Sequence, residues 1–326
     1  MASLLPAAAR VQTGASHHHA DNGSWALNLT WQVVVGEGDD LSACSPGCPG
    51  CHDAFVKTIP LVGIEGVRCV PDTRARVGAL VLAGSSGRVD SDRARVLAEA
   101  GVLAESIRWF GGPGQHEGPW EIQLEVFLDR VAQLRTVCDR VIVLGTSFGA
   151  EAALLTGALS DQVDAVVAFA PSDVVWAGIT KDGRVTSHWT YQGTPLPYLP
   201  FADDWVAEDD PPAYVGLYRR SWTRYARNIP AATIPVERIR QLILVAGGDD
   251  QVWPAVEQAR RIEARRFDHD LPTTIITDPA AGHRTILPGE PVTAGGIHMQ
   301  RGGEESADRR LGVRAWQRIT QLCSTD

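Results

Sequence analysis

The chain has 326 residues, of which 44% are hydrophobic, so it can bury a substantial core. Its net charge of -9 argues against a nucleic-acid-binding protein. No segment approaches the roughly eighteen consecutive apolar residues of a membrane span, and residues 1–25 lack the long apolar core of a signal peptide. We therefore expect a soluble cytoplasmic protein that binds neither nucleic acid nor membranes.

Residues 1–60 are rich in Ala, Ser, His and Gly, and we treat them as an N-terminal extension whose order the sequence does not decide. Within it, a Pro/Gly-rich loop holds Cys44, Cys48 and Cys51. This spacing is typical of the three-cysteine loop of radical iron–sulfur enzymes and would also suit zinc, but no series of βα repeats follows it. We favour a plain surface loop over a structural metal site or a local disulfide, and we predict no cofactor.

From Val67 onward, short apolar strands alternate with amphipathic helices. The predicted strands cover residues 78–83, 106–110, 141–144, 163–170, 241–246 and 273–277. The predicted helices cover residues 91–100, 121–137 and 150–159. Such alternation predicts a mostly parallel central sheet with helices on both faces, within one catalytic domain of residues 61–326.

The segment from about residue 173 to 236 interrupts this alternation between two core strands. It is rich in proline, tryptophan and tyrosine. An ordered segment of this length between core strands is usually functional. We predict an inserted cap over the active site, and the alternative is a peripheral subdomain whose aromatic side chains pack only among themselves.

The strand at residues 141–144 leads directly into Gly145-Thr-Ser-Phe-Gly149 and then into a helix. This order is typical of a nucleophile elbow, which presents the central serine, here Ser147, at the apex of a sharp turn. The flanking glycines are needed because the strained turn leaves no room for Cβ atoms. The alternative is that Ser147 is merely the N-cap of the helix.

A serine hydroxyl needs an imidazole to take its proton and an acid to orient that imidazole, and in this fold the acid precedes the histidine along the chain. Asp250 follows the strand at 241–246, and His283 follows the strand at 273–277. We therefore predict Asp250 and His283 as acid and base. Asp249 is better placed to brace the loop, and Asp173 is a competing acid.

The transition state also needs N–H donors for its oxyanion, normally the residue after the nucleophile and one from the loop after an early strand. Phe148 follows the nucleophile, and a Gly-Ser-Ser-Gly turn follows the strand at 78–83. We predict Phe148 and Ser85 as the two donors, with Ser86 next in line. Together these parts predict an α/β-hydrolase fold with an inserted cap.

Several segments extend beyond a generic hydrolase signature, at residues 80–87, 145–151, 165–176, 187–200, 247–253 and 281–283. Through them the chain, over roughly residues 75–323, resembles the C-terminal catalytic domain of acyl-CoA thioesterases and bile acid-CoA:amino acid N-acyltransferases. The resemblance implies that Ser147, Asp250 and His283 act on an acyl thioester. In that family cysteine at the nucleophile goes with amino-acid conjugation and serine with hydrolysis, so Ser147 favours hydrolysis.

We therefore predict a serine hydrolase that cleaves an acyl thioester carried by coenzyme A or by a carrier protein. We take Ser86, Trp176, His188 and Trp189 as candidate substrate-binding residues. The alternatives are an acyltransferase with an amine or alcohol acceptor, a carboxylesterase, and a non-catalytic scaffold in which the cysteine loop binds metal.

Overall fold

A computed structural model describes residues 56–292 and 298–324. The cysteine loop at residues 44–51 lies outside these described residues. A central sheet of eight strands is formed by β1 (Lys57–Pro60), β2 (Gly66–Val70), β3 (Val77–Leu82), β4 (Leu103–Ile107), β5 (Arg140–Thr146), β6 (Ala165–Phe169), β7 (Gln241–Gly247) and β8 (Thr274–Asp278).

The strand order across the sheet is β1-β2-β4-β3-β5-β6-β7-β8. The pairs β1–β2 and β2–β4 are antiparallel, and every pair from β4 to β8 is parallel. The carboxyl ends of the parallel strands therefore share one edge, where ligands bind in open α/β sheets. The sheet begins at Lys57, before the predicted domain boundary at residue 61, because β1 pairs with β2 along its whole length.

The helices of the described residues are α1 (Ser91–Glu99), α2 (Glu125–Arg135), α3 (Phe148–Leu159), α4 (Val215–Arg224), α5 (Ile229–Ala232), α6 (Ala255–Phe267) and α7 (Glu305–Ser324). Of these, α1, α2, α3, α6 and α7 cover the two faces of the sheet. Successive side chains of a strand point to opposite faces, so Leu80 and Leu82 pack into one core cluster with α2, α3 and α6. Ala79 and Val81 pack into a second cluster with α1 and α7. The predicted mostly parallel central sheet with helices on both faces is confirmed.

Two local predictions differ from the structure. The strand expected at residues 106–110 ends at Ile107, and the helix expected from residue 121 begins only at Glu125. Ile122–Gln123 instead forms a short strand parallel to Trp189–Tyr191 of the cap. These residues are extended because their N–H groups find acceptors in the cap, such as the carbonyl of His188 at 2.9 Å from the Ile122 nitrogen.

The cap lies between β6 and β7. It contains α4, α5 and the short strands Ala177–Ile179, Val185–Ser187, Trp189–Tyr191 and Thr194–Pro195. Its aromatic side chains also contact the catalytic domain, since the Tyr218 ring lies 4.7 Å from that of Trp176 and 5.4 Å from that of Trp253 in the loop after β7. The aromatic residues of the cap therefore do not pack only among themselves. Within the described part of the chain, none of the helices is both long and apolar enough to cross a membrane.

Candidate active site

Ser147 occupies the sharp turn between β5 and α3, with φ of 59° and ψ of -124°. This backbone conformation is costly for a residue with a Cβ, and such strain is concentrated at functional sites. A Cβ on Gly145 would collide with the carbonyl of Gly149, and a Cβ on Gly149 would collide with the carbonyl of Ala83. The turn therefore requires both glycines. The Ser147 side chain makes no capping hydrogen bond to α3, which disfavours the simple N-cap interpretation.

Asp250 and His283 form a buried hydrogen-bonded pair at the carboxyl ends of β7 and β8. The His283 Nδ1 lies 2.8 Å from the Asp250 Oδ2. The second oxygen, Oδ1, accepts hydrogen bonds from the backbone N–H groups of Val252 at 2.8 Å and Trp253 at 3.2 Å. A carboxylate accepting from Nδ1–H leaves the other ring nitrogen, Nε2, available to accept a proton.

Ser147 and His283 both line one cavity of about 430 Å³. Their elements meet there because β5 and β8 belong to the same parallel array and end at the same edge. The structure thus brings the predicted nucleophile and base to one cavity, with Asp250 hydrogen-bonded behind the imidazole.

The two other carboxylates considered from the sequence have structural partners. Asp249 accepts from the Gln251 side chain at 2.7 Å and from the backbone N–H of Gly303 at 2.8 Å, so it braces the loop. Asp173 accepts two hydrogen bonds from Arg261, at 2.7 and 3.1 Å. Neither arrangement places the carboxylate on His283.

The predicted oxyanion donors also lie at the cavity. Ser85, Ser86 and Phe148 all line it. The Ser85–Ser86 pair sits in a turn closed by a 2.9 Å hydrogen bond from the Gly87 N–H to the Gly84 carbonyl. A Cβ on Gly84 would lie 3.2 Å from the Ser147 Cβ, so this turn passes directly beside Ser147.

The cavity has two chemically different walls. The cap wall is mainly apolar and aromatic, and it comprises Ala177, Gly178, Ile179, His188, Phe201, Tyr214, Leu217 and Tyr218. The rest of the lining comes from the catalytic domain and carries charges of both signs, on Arg88, Arg93, Arg284 and Arg301 and on Asp90, Asp92, Glu290, Glu305 and Asp308.

His188 is a polar side chain of the cap wall, and its ring stacks on that of Phe148 at a centroid distance of 4.0 Å. Only 2% of the residue is exposed, and burial lowers the pKa of the imidazole to about 3. Neither ring nitrogen has a partner with good hydrogen-bond geometry among the described residues, and the nearby Ala177 backbone only partly opposes the lowering of the pKa. His188 therefore presents a neutral ring to the cavity.

Trp176 and Trp189 do not line the cavity, which corrects their assignment to the substrate site. Both are almost completely buried in the core. The Trp176 Nε1 donates to the Ser172 hydroxyl at 2.9 Å, and the Trp189 Nε1 donates to Glu151 Oε1 at 2.7 Å. Their large apolar rings contribute to stability by being removed from water, and their polar atoms are satisfied internally.

Glu151 lies in the segment 145–151, and no role for it was predicted from the sequence. Its Oε1 accepts from the backbone N–H of Trp176 at 3.1 Å as well as from Trp189. Burial raises the pKa of this carboxyl well above its usual range. The sequence signal for this structural role was a charged residue type on the otherwise apolar helix α3, because such a group is buried only with specific partners.

No group of three or more metal-ligating side chains that could hold an ion occurs within residues 56–292 and 298–324. In the same part of the chain Cys69, Cys138 and Cys323 are free thiols.

Comparisons with solved structures place this geometry in a known fold. A Staphylococcus aureus protein provisionally assigned as an esterase is 12% identical, with a TM-score of 0.51 and 84% of each chain covered. A Klebsiella pneumoniae protein provisionally assigned as a dienelactone hydrolase is 15% identical, with a TM-score of 0.47, and the match covers 84% of this chain and 98% of that one.

At 12% identity, the similarity to the Staphylococcus aureus protein shows the fold alone. No curated protein matches the sequence. The model of the family described as BAAT / acyl-CoA thioester hydrolase C terminal matches residues 125–324, a stretch that contains the elbow, the cap and the His283–Asp250 pair. The chain is therefore an enzyme of the α/β-hydrolase type and belongs to the BAAT / acyl-CoA thioester hydrolase C-terminal family.

Proposed function

We propose that the protein is a serine hydrolase that cleaves an acyl thioester through an acyl-serine intermediate. The observation that carries this proposal is the strained Ser147 elbow opening into the same cavity as His283, whose imidazole is held by the buried Asp250. The family description, which names acyl-CoA thioester hydrolases, supports a thioester as substrate.

In the first half-reaction the Ser147 Oγ attacks the thioester carbonyl carbon, and His283 Nε2 takes the hydroxyl proton. Asp250 holds the imidazole in the required tautomer and stabilises the imidazolium that forms. The backbone N–H groups of Phe148 and Ser85 stabilise the negative oxygen of the tetrahedral intermediate. The carbon–sulfur bond then breaks, and His283 returns its proton to the departing thiolate.

In the second half-reaction a water molecule attacks the acyl-serine, again with His283 as base. The acid product leaves, and the proton returns to Ser147. An acyl-serine is an oxygen ester and is less reactive toward amines than the thioester that a cysteine nucleophile would form. Water is therefore the expected acceptor, and coenzyme A or a carrier protein is the expected thiol carrier.

The test is mass spectrometry of the protein after brief exposure to a panel of acyl thioesters and their matched oxygen esters. We expect an acyl adduct on the peptide that contains Ser147, formed faster from the thioester of each matched pair. The Ser147→Ala variant is the control and should carry no adduct. An adduct on another residue would overturn the nucleophile, faster reaction of the oxygen esters would indicate a carboxylesterase, and release mainly as amine conjugates would indicate an acyltransferase.

A further inference from the structure

We infer that Arg93 is a positioning residue, which fixes the nucleophile elbow relative to the loop that carries the base. The inference rests on the proposed function, because it concerns the alignment of Ser147 with His283. Arg93 lies on α1, outside both of these segments, and only 6% of the residue is exposed. It acts on the reaction through the residues that its guanidinium contacts. The loop of residues 279–290, which follows β8 and includes His283, is called the base loop below.

One guanidinium contacts both segments. The Arg93 Nη1 donates to Thr146 Oγ1 at 2.9 Å, and Thr146 directly precedes Ser147. The Arg93 Nη2 donates to the carbonyl of Thr285 at 3.0 Å, two residues after His283. Because a guanidinium is planar and rigid, two of its N–H groups fix the distance between their acceptors. The side chain therefore connects the segment of the nucleophile directly to that of the base.

A second contact with the elbow runs through β6. The guanidinium carbon of Arg93 lies 4.4 Å from the centroid of the Phe169 ring. The carbonyl of Phe169 in turn accepts the Ser147 N–H at 2.9 Å. A strained backbone such as that of Ser147 persists only where several surrounding contacts determine it. Arg93 contributes to these contacts on two sides, through the Thr146 hydroxyl and through the Phe169 ring.

Arg93 is itself held in place by Glu290 of the base loop. Its Nε and Nη2 donate to the two oxygens of Glu290 at 2.6 and 3.0 Å, an arrangement that fixes the plane of the guanidinium. Glu290 Oε2 also accepts the Leu287 N–H at 2.8 Å. Burial lowers the pKa of Arg93, but the charge and hydrogen bonds of Glu290 outweigh this effect and raise the pKa above its ordinary value. The guanidinium therefore stays charged.

The contacts of Arg93 distinguish positioning from substrate binding and from stability alone. Four of the five N–H donors of an arginine are used here by Thr146, Thr285 and Glu290, so the group is committed to the protein although it lines the cavity. A buried ion pair is weak evidence for stability. What this pair adds is a set of bonds to the segments of two reacting residues, and a misplacement of about 1 Å at such residues can cost about 10²-fold in rate.

The experiment measures kcat and KM for one acyl thioester in Arg93→Met and in a matched control, Arg130→Met. Arg130 is also 6% exposed, and its Nε donates to the buried Glu105 at 2.9 Å, but its hydrogen bonds go to β4 and α2. We expect Arg93→Met to lower kcat about 100-fold with KM little changed. Arg130→Met should keep the kcat of wild type under conditions where urea denaturation shows that both variants are folded. An equal loss in both variants would indicate lost stability and overturn the inference.

A smaller change tests the bond to the elbow alone and serves if Arg93→Met does not fold. Thr146→Val removes the acceptor and should lower kcat about tenfold, as expected for loss of a hydrogen bond to a charged group. Thr146→Ser keeps the hydroxyl and should lose less. Arg93→Met should also cost less in the Thr146→Val background than in wild type, because residues in contact are not additive. Strict additivity, or equal loss in Thr146→Val and Thr146→Ser, would show that Arg93 does not act through this bond.

Labelling with a fluorophosphonate distinguishes failure of this inference from failure of the proposed function. The Ser147 Oγ forms a bond to phosphorus as fluoride leaves, and His283 takes the hydroxyl proton, so labelling does not depend on a thioester substrate. We expect Arg93→Met to be labelled more slowly than wild type and Arg130→Met at the wild-type rate. If wild type is labelled at Ser147 but hydrolyses no thioester, the proposed substrate fails, while slow labelling of Arg93→Met still supports the inference.

Two further outcomes would overturn it. If Arg93→Met matches wild type in both kcat and labelling rate, Arg93 is not a positioning residue and the proposed hydrolysis stands. If wild type is neither labelled at Ser147 nor active on any thioester, the proposed function and this inference both fail.

Discussion

The floor of the cavity, made by loops at the carboxyl ends of β3, β5, β7 and β8, and its roof, made by the cap, are held by different interactions. In the floor, backbones approach so closely that Gly145 and Gly149 admit no Cβ. In the roof, large side chains such as Trp176 and Trp189 pack around a buried carboxyl, Glu151. The floor therefore depends on close backbone contacts that exclude any side chain at two positions, whereas the roof depends on side-chain packing around one buried carboxyl.

The largest effect is expected from removing the proposed reacting groups of the floor. Ser147→Ala should lower kcat for thioester hydrolysis on the order of 10⁶-fold, and His283→Ala should cost a comparable amount, because members of such a unit act together. Steady-state turnover of a thioester measures both. Ser160→Ala, at the other end of α3, is the matched control, and substantial turnover by Ser147→Ala would exclude Ser147 as nucleophile.

A one-residue comparison within the floor tests the acid. Asp250→Asn should lower kcat by about 10⁴-fold, because the amide favours the wrong tautomer of His283. Asp249→Asn should have a much smaller effect, since Asp249 bonds to Gln251 and Gly303 and not to the imidazole. The same turnover assay reports both variants. The opposite ranking would assign the orienting role to Asp249.

Removing the buried carboxyl that holds the roof should lower the stability of the protein. Glu151→Leu leaves the donors of Trp176 and Trp189 without an acceptor, so the free energy of unfolding should fall by about 2–5 kcal/mol. Glu151→Gln keeps an acceptor, so its free energy of unfolding should fall less than that of Glu151→Leu. Urea denaturation followed by tryptophan fluorescence measures both, and an unchanged midpoint in Glu151→Leu would show that this carboxyl does not hold the cap.

The contribution of Glu151 to folding stability should change with pH in a definite direction. Because the pKa of this carboxyl is raised in the folded protein, the folded state keeps a proton that the unfolded chain releases. Its contribution to stability is therefore complete below the usual glutamate pKa and is lost as pH rises toward the folded value. Glu151→Gln cannot ionise, so its free energy of unfolding should decline less than that of wild type as pH rises.

The smallest expected effect comes from His188. The pKa of its imidazole is lowered in the folded protein, so the unfolded chain binds a proton that the folded protein does not. Between pH 7 and pH 5 the wild type should lose about 2 kcal/mol of stability from this source. His188→Phe keeps a ring to stack on Phe148 and should remove that loss, whereas His269→Asn at the exposed surface should not. Equal slopes in wild type and His188→Phe would contradict the neutral ring.

The sequence predicted the floor much better than the roof. The succession of strands and helices along the chain, the glycine-flanked Ser147 and the positions of Asp250 and His283 at strand ends are local patterns with a single structural solution in this fold. Trp176 and Trp189 were assigned to the substrate because aromatic residues in a cap suit either role. Their burial depends on Glu151 and Ser172, which accept their indole N–H groups, and that pairing is not visible as a spacing.

The same contrast holds for the sheet and its covering. The helix α7 has apolar side chains at Leu311, Ala315 and Ile319, one turn apart on a single face, so its signal was present in the sequence and was missed. The edge strand β1 has no such signal, because all four of its residues are exposed and it is defined by pairing with β2.

The α/β-hydrolase class, the family resemblance and the chain order of the proposed catalytic residues can be predicted from the sequence, because each follows from local patterns and their succession. Which side chains face the cavity depends on how the fold brings distant loops together. Arg88, Arg284 and Arg301 are as much as 213 positions apart in the chain and meet because their loops leave the same edge of the sheet. His188 and Trp189 are neighbours in sequence, yet one lines the cavity and the other is buried in the core, because adjacent residues of an extended segment point in opposite directions.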